Sequence, residues 1–399
     1  MNGNLIVNVF NNTIATPISS AMVDIFENGK QIESLTTNIS GQTDTVALNA
    51  PPGELSLTPQ TEYRPFSVYD LKITAENAAP LTINGVEIFE GTTAIQNAPL
   101  GELTNIEIRD NTLWEPGPAK IPEDEVKALP ESSGYVVLNE VVVPEFIVVH
   151  AGAPSNNSAP NYWVPFKEYI KNVASSEIYS TWPTETIKAN VLAIISFTLN
   201  RVFTEWYRGQ GKNFTITNST AFDQSFSYGR NIFKEISDVV DTLFTTYITR
   251  NGIMQPLFAQ YCDGRQVSCP GWLSQWGSAS LGEQGRDHLS ILKNYYGDIY
   301  LDRARVVSGV PLSFPGETLQ IGSMGNNVRT IQNQLNAISN NYPSIPKLRV
   351  DGVYGQLTAE SVRKFQEIFN MPQTGVVDFA TWYRISHIYV AVSKLATLV

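Results

Sequence analysis

The spacing of apolar residues changes along this chain, and that change constrains the fold more than any other feature. Between residues 3 and 113, segments such as NLIVNVF and VEIFEG alternate apolar and polar positions and are rich in Val, Ile and Phe. This alternation is typical of half-buried β-strands. From about residue 161 the apolar residues instead recur every three or four positions, as in amphipathic helices. The sequence therefore predicts a multidomain α+β protein that begins with a small antiparallel β-sandwich over residues 1–113.

A segment rich in proline and acidic residues, WEPGPAKIPEDEVKALPESS, follows the β pattern at residues 114–133. Its composition is typical of an exposed linker, and exposed linkers are preferred sites of proteolysis. The strand-like run GYVVLNEVVVPEFIVVH comes next. We therefore assign residues 114–150 to a linker that contains a processing region. A second linker, VVSGVPLSFPGE, is predicted at residues 306–317.

The segment between the two linkers, residues 151–305, predicts a mainly helical α+β domain. A short amphipathic helix, FKEYIKNVASS, leads to Glu177, and a second helix begins near Pro183, where the missing N–H costs nothing. A third helix is predicted within SYGRNIFKEISDVVDTLFTTYI, with apolar residues from Ile232 to Tyr247 on one face. Another helix is expected to end near Gly297. Nothing in the β region before residue 114 carries a catalytic pattern, so we interpret it as a folding or targeting module.

Charge is divided unevenly along the chain, although the net charge is −11. Residues 1–150 hold 20 acidic and 6 basic residues, a net of −14, whereas residues 151–399 hold 18 and 21, a net of +3. One interpretation is an acidic domain that its charge keeps soluble. The other is a removable acidic segment in front of a half that works on an anionic surface. Charge by itself does not separate the two.

Cysteine and histidine usage offers little for metal or redox chemistry. Cys262 and Cys269 allow one local disulfide or two free thiols, and the three histidines lie far apart in sequence. We expect no metal and no cofactor. The first residues, MNGNLIVNVFNN, lack a basic segment followed by a long apolar one, so no secretory signal is expected. Neither a nucleic-acid partner nor membrane insertion is expected.

The last part of the chain, residues 318–399, resembles a known binding module. The phrases IGSMGNNVRTIQNQL, DGVYGQLTAESVRKFQ and TGVVDFATW are similar to the three-helix peptidoglycan-binding domain over about residues 318–385. Gly352 and Gly355 permit the tight turn of this pattern, and Thr358 suits a helix cap. By this resemblance, Asp351, Tyr354 and Trp382 are the residues expected to serve wall binding.

The middle of the chain resembles the stage II sporulation protein D domain, which carries lytic transglycosylase activity. The matching phrases are YIKNVASSEIYSTWPTETIKAN, STAFDQSFSYG and LSQWGSASLGEQGRDHLSILKNYYG, in that order. The whole chain, most closely after about residue 140, resembles the clostridial spore cortex-lytic enzymes. This resemblance implies a precursor located in the spore, which a germination-specific protease activates and which acts on cortex peptidoglycan.

The same resemblance assigns roles to individual residues. Glu177 takes the place of the catalytic glutamate. Asp223 and Gln224 match an acid–amide pair of the domain, and Ser274, Gln275 and Trp276 belong to its S-Q-W-G stretch, so these five are expected to bind substrate. Trp276 suits sugar stacking and core packing equally well. Relatives often have a histidine near the position of Cys269.

A single glutamate suffices for this chemistry. Cleavage of a glycosidic bond needs a proton on the leaving oxygen, and hydrolases usually add a second carboxylate. In a lytic transglycosylase the muramic C6 hydroxyl attacks instead, and the same acid accepts its proton, which gains from proximity. Apolar neighbours are expected to raise the pKa of Glu177. Without the resemblance, an ordinary solvated glutamate at a helix end is the better interpretation.

Three hypotheses follow from the sequence. The first is the precursor of a lytic transglycosylase that cleaves the MurNAc–GlcNAc β-1,4 linkage of spore cortex, losing residues 1 to roughly 138 on activation. The second is a peptidoglycan-binding spore protein without activity. The third is hydrolysis, with water as the nucleophile.

Overall fold

The computed structural model describes residues 1–11, 17–59, 62–101, 103–127, 136–138, 140–306, 318–393 and 396–398. The predicted cleavage region near residue 138 lies largely outside the described residues, as does the second linker apart from Val306.

Strands dominate the first 107 residues, as the alternating pattern predicts. They are β1 (Asn2–Asn11), β2 (Met22–Glu27), β3 (Lys30–Thr36), β4 (Val46–Asn49), β5 (Ser67–Thr74), β6 (Leu81–Ile88), β7 (Thr93–Leu100) and β8 (Asn105–Glu107). One sheet has the order β3-β2-β5-β6-β8, and the other contains β7-β1-β4. Strand β1 shows why the alternation arises: Leu5, Val7 and Val9 are almost fully buried, while the residues between them are half-buried.

The expectation of purely antiparallel sheets is wrong. Strand β1 runs parallel to β7, with Asn4 opposite Thr93 and Asn11 opposite Leu100, and β6 runs parallel to β8. Alternation reports which face of a strand is buried and contains no information about the direction of its neighbour.

The middle region contains five helices among its described residues, joined by short strands. The helices are α1 (Phe166–Glu177), α2 (Thr184–Phe203), α3 (Lys234–Leu243), α4 (Gln275–Glu283) and α5 (His288–Tyr296). The strands are β9 (Val136–Leu138), β10 (Val142–Val143), β11 (Phe146–His150), β12 (Asn161–Pro165), β13 (Ile216–Thr217), β14 (Ile232–Phe233), β15 (Thr246–Thr249), β16 (Tyr261–Cys262), β17 (Leu273–Ser274), β18 (Tyr300–Arg303) and β19 (Arg305–Val306). Helix α2 is buried along most of its length, and α5 ends at Gly297 as predicted.

The third predicted helix is shorter than its apolar pattern suggests. Residues Ile232 and Phe233 form strand β14, which pairs with β7 of the N-terminal sheet, and Tyr247 lies in strand β15. Only Lys234–Leu243 is helical. The β-branched and aromatic residues at both ends also suit strands, and neighbouring strands decide between the two conformations.

The N-terminal sheets and the helical middle region share one hydrophobic core, which includes buried residues from Leu5 to Ala304. Phe89 of the first region contacts Tyr179 and Phe233 of the second, with ring centroids 5.2 Å apart in both pairs. A fully buried ion pair joins Arg230 to Glu87 at 2.5 Å. Residues 1–113 are therefore packed into the helical region through an apolar and charged interface.

The C-terminal module has a separate core and contains three helices among the described residues. They are α6 (Asn326–Ile338), α7 (Gln356–Ile368) and α8 (Phe379–Val392), and a short strand β20 (Ala396–Leu398) follows. Val328, Ile331, Leu335, Val362 and Phe365 are fully buried, as the helical spacing predicts.

The predicted exposed linker is extended but attached to the helical region over residues 116–127, which we call the strap. Many of its side chains are exposed. Its backbone is nevertheless bound: Ile121 donates its N–H to the carbonyl of Ala221 at 2.7 Å, and Lys127 donates its N–H to Gln255 Oε1 at 2.8 Å. A linker composition predicts exposure, and it does not exclude hydrogen bonds to a neighbouring surface.

The buried ion pair gives a direct test of the shared core. Replacing Arg230 by Met removes the charge and leaves the Glu87 carboxylate buried without its partner, so we expect the free energy of unfolding to fall by about 3–5 kcal/mol in urea denaturation. The control is Arg305→Met, because Arg305 pairs with Glu140 on the surface. There the loss is expected to stay below about 1 kcal/mol. Equal losses would contradict the importance of the interface.

Candidate active site

Glu177 is the last residue of helix α1, and residues of the N-terminal region hold this helix end. The Asn111 side-chain amide donates to the carbonyls of Ser175 and Ile178, both at 3.1 Å, and the Thr112 N–H donates to the carbonyl of Ser176 at 2.9 Å. The last carbonyls of a helix have no partners within the helix. Asn111 and Thr112 supply partners on both sides of Glu177 and so fix the position of its backbone.

The Glu177 carboxyl group is buried, with 2 % of the residue exposed. Its Oε1 accepts the backbone N–H of Ser225 at 2.6 Å, and its Oε2 accepts the Tyr261 hydroxyl at 2.5 Å. Strand β16 carries Tyr261, and the loop after Asp223 carries Ser225. Both oxygens thus have fixed hydrogen-bond donors, which stabilise the carboxylate when it forms.

Burial raises the pKa of Glu177 to about 7, because desolvation penalises the charged form. The Lys120 ammonium, the Ser225 N–H and the Tyr261 hydroxyl oppose this effect and lower the pKa. A carboxyl group with a pKa near neutrality is suited to give and take a proton at physiological pH. The expectation that the surroundings raise this pKa agrees with the structure.

A pocket opens beside Glu177, and the strap forms one of its walls. Residues 116–120 line it from the strap, and Thr220, Tyr261, Asp263 and Gln275 line it from the helical region. Lys120 donates to the carbonyl oxygen of Asp223 and lies over aromatic rings, with its Nζ 4.9 Å from the ring centroid of Phe197 and 5.1 Å from that of Tyr261. Desolvation lowers the pKa of Lys120 to about 8. A cation of the strap therefore shares the pocket with the candidate acid.

The prediction that Asp223 and Gln224 line the substrate groove is wrong for this structure, because both side chains are fully buried. Asp223 pairs with Arg201 at 2.7 Å, and Gln224 Oε1 accepts the hydroxyls of Tyr169 at 3.0 Å and Thr198 at 2.9 Å. These bonds anchor the loop that presents the Ser225 N–H to Glu177. Asp223 and Gln224 therefore lie next to the pocket without lining it, and they position the Ser225 N–H that binds Glu177.

The S-Q-W-G residues divide between the pocket and the packing around it. Gln275 lines the pocket with Glu177. Ser274 caps helix α4, where its Oγ accepts the Gly277 N–H at 2.9 Å. Trp276 is 9 % exposed and packs against Trp182 and Tyr179, with ring centroids 5.2 and 5.9 Å away. For Trp276 the packing interpretation is therefore the one that fits.

The three residues assigned to wall binding hold the C-terminal module together. Tyr354 and Trp382 are each 1 % exposed, and the Tyr354 hydroxyl donates to the carbonyl of Gly375 at 3.0 Å. Asp351 accepts the Gln332 amide at 3.0 Å and the Val353 N–H at 2.9 Å, which fixes the turn before α7. The prediction that Tyr354 and Trp382 contact the polymer directly is therefore wrong for this structure, because both side chains are buried. Residues that define a family pattern often form the core of the domain.

Cys262 and Cys269 form a disulfide next to Tyr261. This selects one of the two alternatives that the sequence left open. Within the part of the chain that the structure describes, no three His, Cys, Asp or Glu residues are grouped as metal ligands. In the same part, no helix is long and apolar enough to cross a membrane.

Sequence reasoning missed Lys120, Tyr261 and Arg201, although each lies at or beside the site. Tyr261 precedes the cysteine of YCDG, and a position next to a disulfide was the only available signal. Lys120 and Arg201 have no local pattern, because their roles depend on contacts with distant residues: Arg201 binds Asp223 and Glu123, 22 and 78 positions away, and Lys120 binds Asp223, 103 positions away.

The electrostatic interaction between Lys120 and Glu177 gives a pH prediction. In the full chain, Lys120→Met removes a nearby positive charge and keeps a side chain of similar length, so the pKa of Glu177 is expected to rise above about 7. The side-chain carboxyl ¹³C shift, followed by NMR during a pH titration and assigned with Glu177→Gln, measures it. Lys188→Met, which removes a lysine paired with Glu185, serves as the control and should leave the titration unchanged. An unchanged or lower pKa in Lys120→Met would refute the interaction.

Comparison with protein families supports the C-terminal assignment. Residues 324–385 match the family described as a putative peptidoglycan-binding domain. This range covers helices α6 and α7 and the first half of α8, and it agrees with the predicted module and with peptidoglycan as a partner. No curated protein matches the chain.

Solved structures are similar to parts of this chain, and their TM-scores against the whole chain are low. The SleB N-terminal domain is 28 % identical over 19 % of this chain and 99 % of its own, with a TM-score of 0.17. A 5-hydroxyisourate hydrolase of Klebsiella pneumoniae is 16 % identical over 25 % of this chain and 92 % of its own, also with a TM-score of 0.17. Sea bream transthyretin is 16 % identical over 25 % of this chain and 88 % of its own, with a TM-score of 0.15. It is the family match that identifies residues 324–385 as a putative peptidoglycan-binding domain, C-terminal to the region that contains the buried, pocket-lining Glu177.

Proposed function

We propose that this chain is the precursor of a spore cortex-lytic enzyme, a lytic transglycosylase that cleaves the MurNAc–GlcNAc β-1,4 bond of cortex peptidoglycan. The observation that carries the proposal is Glu177, a buried carboxyl group with a pKa of about 7 that lines a pocket beside two hydrogen-bond donors. The C-terminal match to a peptidoglycan-binding domain supplies the substrate class.

In the proposed reaction Glu177 gives its proton to the oxygen of the breaking glycosidic bond. The Tyr261 hydroxyl and the Ser225 N–H stabilise the carboxylate that remains. This carboxylate then accepts the proton of the muramic C6 hydroxyl as that oxygen attacks C1, which leaves a 1,6-anhydro end. Gln275 lines the pocket, and we expect its amide to hydrogen-bond the sugar.

The C-terminal module increases the rate by tethering. A module that holds the polymer makes the encounter between groove and glycan intramolecular, and the effective concentration of substrate rises accordingly. The module has its own core, so it folds around residues that are separate from the pocket.

The strap supports the proposal that the chain is a precursor. Residues 116–120 line the pocket of Glu177, and Lys120 lies beside the acid. A glycan needs this space, so we propose that the full chain is inactive until a germination-specific protease of the spore cuts near residue 138 and the strap leaves. Because residues 1–113 share a core with the helical region, release also requires separation of that interface.

The products of digestion test the proposed activity. Purified cortex is incubated with activated protein, and anhydro-muropeptides are expected by mass spectrometry. Glu177→Gln is expected to lower their rate of formation at least about 100-fold, because removal of a general acid typically costs 10²–10⁴ in rate. Glu185→Gln is the control, since Glu185 is bound to Lys188 and His288 outside the pocket. If wild-type protein binds cortex and releases nothing, the chain is a peptidoglycan-binding spore protein without activity.

Hydrolysis is the second candidate reaction, because Asp263 lines the same pocket as Glu177. Two carboxylates are the usual equipment of a glycosidase. The Asp263 carboxylate, however, accepts the backbone N–H groups of Gln266 at 2.7 Å and Val267 at 2.9 Å, which gives it a structural role. Reducing ends in the digest, lost in Asp263→Asn, would favour hydrolysis over the transglycosylase reaction.

Wall binding tests the role of charge. Residues 1–138 carry a net charge of −12 and the remainder +1, so repulsion from a carboxylate-rich wall is expected to weaken binding of the full chain relative to cleaved protein. The difference should shrink as salt rises, because salt screens exposed charges. Size-exclusion chromatography shows whether the cut segment has left. Equal binding at low salt, with the segment gone, would discard the repulsion.

A further inference from the structure

The strap carries a second charged contact, three residues after Lys120. The Glu123 carboxylate accepts two hydrogen bonds from Arg201, from Nη1 at 3.0 Å and Nη2 at 2.6 Å. The Arg201 side chain is fully buried, and that of Glu123 is 17 % exposed. Lys127 of the strap also donates to Glu123 Oε2, at 2.6 Å. Desolvation raises the pKa of Glu123, and the bonds from Arg201 and Lys127 outweigh it, so the pKa lies below its usual value. This two-point geometry is the strongest form of carboxylate recognition by a side chain.

The helical region, and not the strap, fixes the orientation of Arg201. Its Nε donates to Asp223 Oδ1 at 2.7 Å. The other oxygen of Asp223 is held by the Tyr207 hydroxyl at 2.7 Å and by the Thr217 N–H at 2.8 Å. Without the strap, the Arg201–Asp223 pair would keep its own partners and Nη2 would keep the Phe222 carbonyl at 3.1 Å, while both terminal nitrogens of Arg201 would lose the Glu123 carboxylate. Nη1 and Nη2 of Arg201 would then form a preoriented binding site for an anion, which we call the seat.

This seat and the candidate acid are joined by one short loop. Asp223 pairs with Arg201, and its carbonyl oxygen contacts Lys120 of the strap. Two residues later, the Ser225 N–H binds Glu177. The strap therefore follows a path along which it places one cation beside the acid and one carboxylate on Arg201.

We propose that Arg201 is a specificity residue that binds a carboxylate of the wall polymer, and that Glu123 occupies this seat until the strap is displaced. The inference rests on the proposed function and adds the charged part of the substrate that the groove selects. Peptidoglycan carries carboxylates on the lactyl group of muramic acid, where no stem peptide is attached, and at the ends of stem peptides. The shared chemistry is a carboxylate of the polymer, bound beside the loop that joins Asp223 to Ser225 rather than in the Glu177 pocket itself.

Ligand-dependent stability of the full chain tests the seat without any catalysis. Glu123→Ala leaves Arg201 without its strap partner, so N-acetylmuramic acid is expected to raise Tm by at least about 2 °C, because a ligand that binds only the folded state stabilises it. GlcNAc, which lacks the carboxylate, should have no effect, and D-alanyl-D-alanine tests the stem-peptide source. The matched control is Glu125→Ala, since Glu125 pairs with Arg250 at a partly exposed position. Stabilisation by neither carboxylate, or equal stabilisation of Glu125→Ala, overturns the proposal.

A second variant and a kinetic measurement test the same proposal independently. If Glu123→Ala does not fold, Glu123→Ser, which also removes the carboxylate and shortens the side chain opposite Arg201, should show the same selective stabilisation by a carboxylate. Protease-activated full chain is then given cortex whose carboxylates have been amidated. A KM at least about 10-fold higher with unchanged kcat supports the seat, and equal KM values overturn it. Failure to digest even untreated cortex would instead reject the proposed function.

Discussion

Removal of the Glu177 carboxyl group from water is the constraint on which the site depends. Burial raises its pKa to about 7, and the Lys120 ammonium together with two short hydrogen bonds, from Ser225 and Tyr261, limits that rise by favouring the charged form. Desolvation without these donors would keep the group protonated, whereas an exposed carboxyl group would be ionised and unable to act as an acid. The pKa of Glu177 therefore depends on the end of helix α1, strand β16 and the loop after Asp223, which come from three separate parts of the chain.

The N-terminal region is part of the structure that supports Glu177 and is not simply attached to it. Asn111 and Thr112 satisfy the carbonyls at the end of α1, and β14 from the helical region completes a sheet built from β7, β1 and β4. The Glu87–Arg230 pair is buried in the same interface. The segment that follows then covers the pocket with Lys120 and places Glu123 on Arg201. One stretch of chain thus holds the end of the helix that carries Glu177 and also lines the Glu177 pocket, so the proposed activation would have to break both sets of contacts.

Sequence patterns were reliable where one local rule governs the structure. The alternation over residues 3–113 gave strands, the helical spacing around Ile331 and Phe365 gave the C-terminal helices, and Gly297 ended α5. They were wrong where a neighbour decides. Ile232 and Phe233 also fit the apolar face of a helix, yet they pair with the edge of β7 and form strand β14. Asp223, Tyr354 and Trp382 belong to recognisable patterns, but patterns do not report which side of the chain faces solvent, and these three residues are buried.

The sequence by itself determined the secondary-structure classes, the charge division, and the position of one glutamate at the end of an amphipathic helix, because these depend on residues within a few positions of one another. The disulfide between Cys262 and Cys269 was one of two choices that it allowed. Only the tertiary structure decided the surroundings of Glu177, the contact of Arg201 with Glu123, and the attachment of the strap. These features arise from residues tens of positions or more apart in the chain, and such contacts form through the packing of the whole fold rather than through any local preference of the backbone.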